Sequence, residues 1–528
     1  MQKVVTAFLC YLFFFSSSYA GQIFNQPPDF KVRGYHIDLR VQVIKMSALK
    51  ALVKKLKANG VNTLIVEWEA TYPFEKYPVI TNAYSYTKEE VSSFMQLCNS
   101  LQLDVIPLQQ SFGHVEYILR NYRFAGLRED DRDFSQVCPF EEEGNRALFT
   151  DLFRELAASH NSNYFHIGGD ETYLLGHCEK CKKKAATEGL SKLYIDHIRM
   201  LCDIVMKLGK RPVLWADIAL KHPEAIKLLP KETVFIDWNY GWDLNQFGNL
   251  DNLLKNNYEV WGAPAIRSSY DNYYLSQWPL HFNNLKDFIP AAKRLGYTGM
   301  VLTSWSTNGV FNPIFNSGHD IIDLYPRGHR YPYTGYNILL KAFFKSLQSP
   351  EPLNTDQFIH DYAMKTFGFR PAQAAIFWTA LATTPYEIRQ GKVMTPSPPA
   401  VQQMLDSTVQ AAAILRQLKP GKGKTEYAHL QLMTDIRVQY LETYVLEDRL
   451  NAKVFNGDDL KAIAARLKKV LAKSADLDRR FIELNQDSFY LAELQEENRI
   501  RSQHIKVLYD RVAKNKGIIP SSHTPSAR

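Results

Sequence analysis

The chain has 528 residues, is 45% hydrophobic and 13% aromatic, and carries a formal net charge of +8. A chain of this length can bury a large core and form more than one domain. No basic run is interleaved with aromatic residues as nucleic-acid grooves require, so no nucleic-acid partner is expected. After residue 20 there is no apolar run of 18 residues, so no membrane span is expected.

Residues 1–20 have the composition of a secretory signal peptide. Lys3 supplies a positive start, Val4–Phe15 form an apolar run, and Ser18-Tyr19-Ala20 form a small-x-small cleavage site before Gly21. The apolar run is too short for a membrane-spanning helix. We therefore expect an exported protein, either periplasmic or extracellular.

From residue 32 onward, apolar strands alternate with helical patterns, which is typical of βαβ units. The predicted strands are Val32–Leu39, Val61–Trp68, Leu103–Leu108, a strand starting at Tyr164, Arg211–Trp215, Thr233–Trp238, Tyr258–Gly262 and Gly299–Thr303. The predicted helices include Ser47–Asn59, Lys88–Leu101, Glu143–Ser159, Ser191–Leu208 and Leu285–Leu295. Eight strands in about 300 residues predict an α/β fold, a TIM (β/α)8 barrel.

The pattern changes near Ser349-Pro350-Glu351-Pro352, after which helical periodicity dominates. Two such stripes are Leu430, Met433, Arg437, Leu441 and Val445, and Leu460, Ile463, Leu467 and Leu471. Breaks rich in proline and glycine separate the helices at Thr395–Pro399 and Pro420–Lys424. We predict a catalytic barrel over 30–348, a C-terminal all-helical domain over 349–516 and a disordered tail over 517–528.

Five cysteines follow the predicted signal peptide, and an odd number leaves at least one thiol free or paired between chains. Cys178 and Cys181, in His177-Cys178-Glu179-Lys180-Cys181, resemble half of a zinc site, but no second Cys-x-x-Cys follows. A local disulfide or free thiols is the favoured interpretation. No metal and no other cofactor are expected.

The segment Asn163–Glu171 carries the strongest chemical signal in the chain. A short apolar strand is followed by Gly168 and Gly169, which allow a turn or the close approach of a ligand. Asp170 and Glu171 then lie at the carboxyl end of that strand, where barrel enzymes place catalytic groups. One acid that donates a proton beside one that stays ionised is the arrangement that glycoside cleavage needs.

The run His166-Ile167-Gly168-Gly169-Asp170-Glu171 resembles the signature of glycoside hydrolase family 20, the β-N-acetylhexosaminidases. The resemblance covers roughly Arg33 to Trp305. It implies an exo-acting enzyme that removes terminal β-linked GlcNAc or GalNAc from a glycan with retention. The substrate's 2-acetamido oxygen would attack the anomeric carbon and form an oxazolinium ion. Asp170 would orient the acetamido group, and Glu171 would protonate the leaving oxygen and later activate water.

The same resemblance implies roles at the first three strands. Arg33, in Arg33-Gly34-Tyr35-His36-Ile37-Asp38, would bind the sugar's 3- and 4-hydroxyls, with an ion pair at the lower rim as the alternative. Glu69, rather than Glu67, would bind the sugar, with ion-paired structural glutamates as the alternative. His114, in Gly113-His114, would line the sugar pocket. His166, inside the fourth strand, would support the acid pair without contacting the sugar.

Aromatic residues fall at successive late strand ends, and the resemblance implies that they form a wall around the acetamido group and the sugar ring. Trp305 would be the platform under the ring, Tyr240 would bind the acetamido oxygen, and Asp217 would orient a neighbour. The tryptophans assigned to this wall are Trp215, Trp238, Trp261 and Trp305. The family often has an acid where this chain has Thr307, so the preference between GlcNAc and GalNAc stays open.

The chain also departs from larger family members. About ten residues precede the first strand after Gly21, so the small domain that often precedes the barrel is expected to be absent, as in the hexosaminidase D type. Three alternatives stay open. They are a retaining glycosidase with Glu69 or Glu67 as nucleophile, a glycan-binding protein without catalysis, and a metalloprotein built on Cys178 and Cys181. The oligomeric state is not determined by the sequence.

Overall fold

The computed structural model describes residues 30–40, 43–268, 276–305, 333–383, 388–389, 392–393, 400–452 and 459–515. Several predictions made from the sequence lie outside these described residues. They concern the signal peptide (1–20), the tail (517–528), the break at Thr395–Pro399, and Thr307.

Eight parallel strands close into a barrel, as predicted, because the first strand pairs with the last. In chain order the strands of this sheet are β1 (Val32–Asp38), β2 (Thr63–Glu67), β3 (Asp104–Leu108), β4 (Tyr164–His166), β5 (Arg211–Trp215), β6 (Val234–Trp238), β7 (Glu259–Ala263), β8 (Ala265–Arg267) and β9 (Gly299–Ser304). β8 is a short extra strand on the far side of β9, and the other eight form the barrel. The predicted fold class is therefore confirmed.

Most strand predictions differ from the structure only at the ends, but β8 was not predicted. Pro264 separates β7 from β8 and has no N–H to donate, so it interrupts the run of hydrogen bonds. Its carbonyl instead accepts the backbone N–H of Thr303 at 2.8 Å. This contact ties the segment between the two strands to β9.

Helices cover the outside of the barrel. They are α1 (Met46–Ala58), α2 (Lys88–Ser100), α3 (Glu116–Leu119), α4 (Glu142–Ser159), α5 (Glu179–Glu188), α6 (Leu190–Lys207), α7 (Asp217–Lys221), α8 (Pro223–Ile226), α9 (Asp251–Leu254), α10 (Trp278–Arg294) and α11 (Asn337–Gln348). α10 begins seven residues before the predicted start at Leu285, because Trp278 and Phe282 extend its buried face. Local sequence also fixes helix starts: Thr87 and Glu90 form a capping box at α2.

The strands separate two apolar cores, because alternate side chains point into the barrel and toward the helices. Ile65 and Ile106 lie in the interior core, whereas Leu64, Val66 and Val105 belong to the core between strands and helices. The interior is filled by side chains and is not a channel. Catalytic groups therefore have to lie at an end of the barrel.

A helical region follows the barrel, as predicted. Its helices are α12 (Thr355–Phe367), α13 (Pro371–Ala382), α14 (Val401–Gln417), α15 (Lys424–Leu450), α16 (Asp459–Ala472), α17 (Ser474–Asn485) and α18 (Leu491–Asn515), with a short hairpin of β10 (Ile388–Arg389) and β11 (Lys392–Val393). The five residues of the predicted stripe in α15 are all buried. No helix in the described ranges is long and apolar enough to span a bilayer.

The helical region packs directly on the barrel. Tyr490 stacks on Tyr84 with ring centroids 4.9 Å apart. The backbone N–H of Lys45, just before α1, donates to the carbonyl of Ser488 at 2.8 Å. Both contacts join the segments that follow β1 and β2 to the segment between α17 and α18, about 400 residues later in the chain.

Close packing at the start of β9 gives a prediction for stability. A Cβ added at Gly299 would lie 2.6 Å from the Trp261 ring and 2.9 Å from Cβ of Val32. Neither neighbour can move freely, so Gly299→Ala should lower the free energy of unfolding by about 1–3 kcal/mol. Gly126→Ala is the matched control, because nothing lies within 4 Å of its added Cβ. Equal urea midpoints for the two variants would contradict this packing.

Candidate active site

The carboxyl ends of the barrel strands bring charged and aromatic side chains together. The residues at this end are Asp38 and Arg40 at the end of β1, Glu67 and Glu69 at β2, His114 after β3, Asp170 and Glu171 after β4, Asp217 after β5, Trp238 and Tyr240 at β6, and Trp305 after β9. Parallel strands place these ends on one face of the barrel, so residues far apart in sequence meet there.

His114 bridges the two carboxylates of the acid pair. Its Nε2 lies 3.4 Å from Oδ2 of Asp170 and 3.2 Å from Oε2 of Glu171. The Asp170 side chain is 9% exposed and that of Glu171 is 35% exposed. The two neighbouring acids therefore sit in different environments, one inside the site and one at its opening.

The bridge changes the ionisation of both partners. Burial alone would lower the pKa of His114, but the charge and hydrogen bonds of Asp170 and Glu171 raise it well above its usual value. Burial alone would raise the pKa of Asp170, but His114 and Arg40 hold it below its usual value. At neutral pH the site thus contains an ionised Asp170 beside an imidazolium.

The backbone of the site is strained. Of the five non-glycine residues with positive φ among the described residues, three are here: Glu69 (44°), His114 (55°) and Glu171 (48°). Such residues cluster where function requires a fixed side-chain direction. Gly113 allows the loop after β3 to lie close to the Asp170 backbone, since an added Cβ would lie 2.6 Å from the Asp170 carbonyl oxygen. Gly168 has φ of 75° and lies against the Gln110 side chain.

Glu171 is held from three directions. Its backbone N–H donates to Oδ2 of Asp217 at 3.2 Å, and the Tyr173 hydroxyl donates to its Oε1 at 2.9 Å. His114 provides the third contact. Burial and the nearby charge of Asp170 raise the pKa of Asp217 to about 7. Asp217 therefore fixes the backbone of the acid, which is the orienting position that the sequence suggested for it.

Arg40, and not the predicted Arg33, is the arginine that lies at the site. Arg33 lies near the start of β1, where its Nε donates to the Gly60 carbonyl at 3.1 Å. That is the opposite end of the barrel from Asp170, so the expected sugar contact of Arg33 does not fit its position. Arg40 follows the end of β1, forks onto both oxygens of Asp38 at 3.1 and 3.0 Å, and lies over the Trp305 ring at 5.1 Å.

The two glutamates of β2 have different surroundings. Glu67 is fully buried and accepts hydrogen bonds from His36 at 2.9 Å and Gln110 at 3.0 Å, with Arg40 3.4 Å away. Glu69 is also buried, and burial raises its pKa well above the usual value despite the nearby Arg40. Glu69 thus remains at the catalytic end of the barrel, as predicted, with a carboxyl group whose protonated form is favoured.

Only part of the predicted aromatic wall lies at the site. Trp305 donates from Nε1 to the Tyr240 hydroxyl at 2.6 Å, and Tyr240 packs on Trp238 with ring centroids 5.2 Å apart. Trp242, which was not among the predicted site residues, packs on both Trp238 and Tyr240 with ring centroids 5.2 Å apart. We call the residues Trp238, Tyr240, Trp242 and Trp305 the aromatic cluster.

The other two predicted tryptophans are interior residues. Trp261 is fully buried, packs on Tyr164 and donates to Glu259, both at the starts of strands. It fills the lower part of the barrel, so a substrate contact is excluded by its position. Trp215 is also fully buried, under Trp305 at 5.7 Å between ring centroids. Its position supports the aromatic cluster from below and leaves no surface for a sugar.

His166 lies inside the barrel below the acid pair. Its Nδ1 accepts the backbone N–H of Gly168 at 3.0 Å, and its ring packs on Trp215 at 4.6 Å. Burial lowers the pKa of His166 to about 3, so the ring is neutral at physiological pH. His166 therefore fixes the turn that carries Asp170 and adds no positive charge to the site.

The family comparison agrees with this geometry. The family described as glycosyl hydrolase family 20, catalytic domain, matches residues 30–288. The matched segment contains β1 to β8 and the acid pair. The barrel belongs to glycosyl hydrolase family 20. As a member of this family, the chain is a glycoside hydrolase.

Two relatives named hexosaminidase D are similar to this family 20 chain. The one from Bos taurus is 27% identical over 291 residues, which are 52% of this chain and 84% of the relative. The one from Homo sapiens is 30% identical over 245 residues, which are 45% of this chain and half of the relative. A solved β-N-acetylhexosaminidase from Bacteroides fragilis aligns with a TM-score of 0.47 and 19% identity, covering 64% of this chain and 70% of that one.

The donor atoms of His114, Asp170 and Glu171 lie within 4.8 Å of one another, a spacing that a metal ion could also bridge. The same two carboxylates raise the pKa of His114, because they accept hydrogen bonds from its protonated ring.

The bridge predicts a pH-dependent effect of His114→Gln on stability. Because the pKa of His114 is raised in the folded state, its contribution to stability is complete below about pH 6.5 and is lost as the pH rises through the folded-state pKa. Because the pKa of Asp170 is lowered, its contribution is complete above about pH 3.8 and is lost as the pH falls through the folded-state pKa. The variant should therefore lower the melting temperature most between about pH 4 and 6.5. His504→Gln is the control, because His504 also pairs with a carboxylate, Glu447, but has a 42% exposed side chain outside the site. A pH-independent loss in His114→Gln would contradict the bridge.

Arg33 in β1 and Arg40 just after this strand give a second prediction for the site. Arg40→Lys removes the fork onto Asp38 and the stacking on Trp305, so kcat/KM for an aryl glycoside should fall about 10- to 100-fold. The kcat/KM of Arg33→Lys should stay within about twofold of the wild-type value. Arg33 lies at the opposite end of the barrel, so its substitution should not displace the site residues by the roughly 1 Å that lowers activity. The reverse order of effects would restore Arg33 as the sugar-binding residue.

Proposed function

We propose that the chain is an exo-acting β-N-acetylhexosaminidase that removes terminal β-linked GlcNAc or GalNAc by substrate-assisted retaining hydrolysis. One observation carries the proposal: Asp170 is ionised and buried, and its Oδ1 has no hydrogen-bond partner within the described part of the chain. A buried carboxylate oxygen without a partner is costly unless a ligand completes it. An acetamido N–H is a donor of suitable size.

Glu171 has the position of the general acid in this mechanism. It is the more exposed of the two acids, and His114, Tyr173 and the Asp217 contact fix its direction. It would give its proton to the glycosidic oxygen as the bond to the anomeric carbon breaks. It would then take a proton from the water that opens the oxazolinium ring, which restores the acid and leaves the sugar with its original configuration.

Asp170 and Tyr240 would prepare the substrate's own nucleophile. Asp170 would accept the acetamido N–H and stabilise the positive charge that develops on the nitrogen as the carbonyl oxygen attacks the anomeric carbon. Tyr240 lies close enough for its pKa to be raised by the charges of Asp170 and Glu171, in addition to its burial. Its hydroxyl would bond the acetamido oxygen, and the aromatic cluster would pack the methyl group and hold the oxygen near the anomeric carbon.

The surroundings of Glu67 and Glu69 do not favour the covalent alternative. Both oxygens of Glu67 are taken up by His36, Gln110 and Arg40. Glu69 favours its protonated form, which is a poor nucleophile. The ordinary retaining scheme needs an ionised carboxylate facing the anomeric carbon. Substrate assistance therefore explains why a retaining site would contain a buried, ionised Asp170 next to its acid.

We also propose that the protein is exported, on the basis of residues 1–20. N-terminal sequencing of the protein secreted by its own host should start at Gly21. A first residue upstream of Gly21, with the protein retained in the cytoplasm, would contradict export.

Aryl β-glycosides of GlcNAc, GalNAc, glucose and galactose test the activity. Cleavage should be confined to the two N-acetylated sugars, since only these carry the nucleophile. Asp170→Asn and Glu171→Gln should each lose about 10²- to 10⁴-fold in kcat. Glu171→Gln should lose least on an aglycone that departs without protonation, which separates its role from that of Asp170.

The nucleophile itself can be tested by fluorinating the acetamido group. Each fluorine makes the carbonyl oxygen less nucleophilic, so kcat should fall progressively from acetamido to trifluoroacetamido substrates. Insensitivity to fluorination, together with a large loss in Glu69→Gln, would establish the covalent alternative. Binding of GlcNAc without cleavage of any of the four glycosides would instead establish a glycan-binding protein.

A further inference from the structure

The two loops that flank the acid pair meet again at a cluster of sulfur and carboxylate groups. Glu129 and Cys138 lie on the segment between α3 and α4, whereas Cys178 and Cys181 lie at the start of α5. The four donor atoms all lie within 4.8 Å of one another. The sequence showed only the Cys178/Cys181 half of this cluster, because the other two residues are about 40 to 50 positions upstream.

The cluster is compact and largely buried. Sγ of Cys138 lies 3.6 Å from Sγ of Cys178 and 3.5 Å from Sγ of Cys181. Oε2 of Glu129 lies 3.3 Å from Sγ of Cys181. Cys138, Cys181 and Glu129 are each at most 2% exposed, and Cys178 is partly exposed. The turn between the two close cysteines is already formed, since the N–H of Cys181 donates to Sγ of Cys178 at 3.3 Å.

These distances match the edges of a tetrahedron around a metal ion. With zinc–sulfur bonds of about 2.3 Å and a zinc–oxygen bond of about 2.1 Å, tetrahedral edges are about 3.8 Å between sulfurs and about 3.6 Å between sulfur and oxygen. The observed separations are within a few tenths of an ångström of these values. Sulfurs joined by a disulfide would be about 2.05 Å apart.

The charge of Glu129 points the same way. Its Oε1 accepts the N–H of Cys178 at 2.8 Å, but no lysine, arginine or histidine pairs with this buried carboxylate within the described ranges. A buried carboxylate beside three thiols is costly without a compensating cation. A divalent ion would neutralise it and the thiolates together. A disulfide would use two of the three sulfurs, leave the third as a thiol and provide no positive charge next to Glu129.

We propose that Cys138, Cys178, Cys181 and Glu129 bind one structural Zn²⁺ ion in a closed tetrahedral site. Three thiolates and one carboxylate in a closed site suit zinc better than magnesium or calcium, which prefer oxygen ligands. This site is separate from the acid pair and has no role in bond cleavage. The proposal does not depend on the proposed glycosidase activity.

The position of the site explains what the ion would stabilise. The backbone N–H of Val137 donates to the Phe112 carbonyl at 3.1 Å, so the Cys138 segment backs the turn that carries His114. On the other side, the N–H of Leu174 donates to Oε1 of Gln136 at 3.0 Å, which ties in the loop after Glu171. Zinc would cross-link these two loops and so hold both partners of the His114 bridge.

Elemental analysis of the purified, untagged full-length chain tests the proposal. After dialysis against metal-free buffer, wild type should retain about one zinc per chain, with X-ray absorption showing three sulfur neighbours and one oxygen or nitrogen neighbour. Cys138→Ser and Glu129→Gln should retain at least tenfold less zinc after the same dialysis. Cys98→Ser, which removes a buried thiol outside the cluster, is the matched control and should keep its zinc.

Two further measurements make the outcome decisive. Mass spectrometry of alkylated, unreduced peptides shows whether two of the three cysteines form a disulfide, and a metal-free wild type with such a disulfide would overturn the proposal. Zinc that stays at wild-type level in Cys138→Ser would also overturn it. If that variant does not fold, the number of sulfur neighbours of zinc in wild-type X-ray absorption decides. Three sulfur neighbours support the site, and none overturns it. All of these are measured without substrate, so a loss of hydrolysis alone does not affect the result.

Discussion

The site depends on one imidazole that contacts two adjacent carboxylates. His114 comes from the loop after β3, and Asp170 and Glu171 come from the turn after β4, so a single side chain fixes the relative position of two loops. The contact requires left-handed backbone at both His114 and Glu171. The hydrogen bonds of the surrounding barrel offset the free-energy cost of this strained backbone, as is common in active sites with a fixed geometry.

Below this bridge, the barrel interior changes from polar to apolar along its axis. The upper level contains His36, Glu67 and Gln110 in one hydrogen-bonded network that also reaches Arg40. The lower level is apolar and contains Trp261. The polar level sets the charges near the substrate, since Arg40 and His114 together keep Asp170 ionised in a buried position. The apolar level supplies the rigidity on which that arrangement rests.

Most strands were predictable because they are buried on both faces and are short, largely apolar runs, as β2 and β9 are. The aromatic residues were harder to place. Trp238 and Trp305 lie in the aromatic cluster, whereas Trp215 and Trp261 point into the barrel. Trp215 and Trp238 end β5 and β6, whereas Trp261 lies in the middle of β7. The level that each ring occupies in the barrel therefore depends on strand register, which the sequence pattern does not specify. The sugar contact predicted for Arg33 does not fit the structure, because Arg33 lies near the start of β1, whereas Arg40 follows its end.

The sequence by itself determined the barrel, the helical region and the acid pair, because each depends on residues close together in the chain. Strand runs, helix periodicity and the adjacent Asp170 and Glu171 are local patterns. Only the tertiary structure decided what surrounds them. His114 meets the acid pair across more than 50 residues, and Cys138 meets Cys178 across 40. Such contacts follow from strand register and loop path, which local residue patterns do not specify.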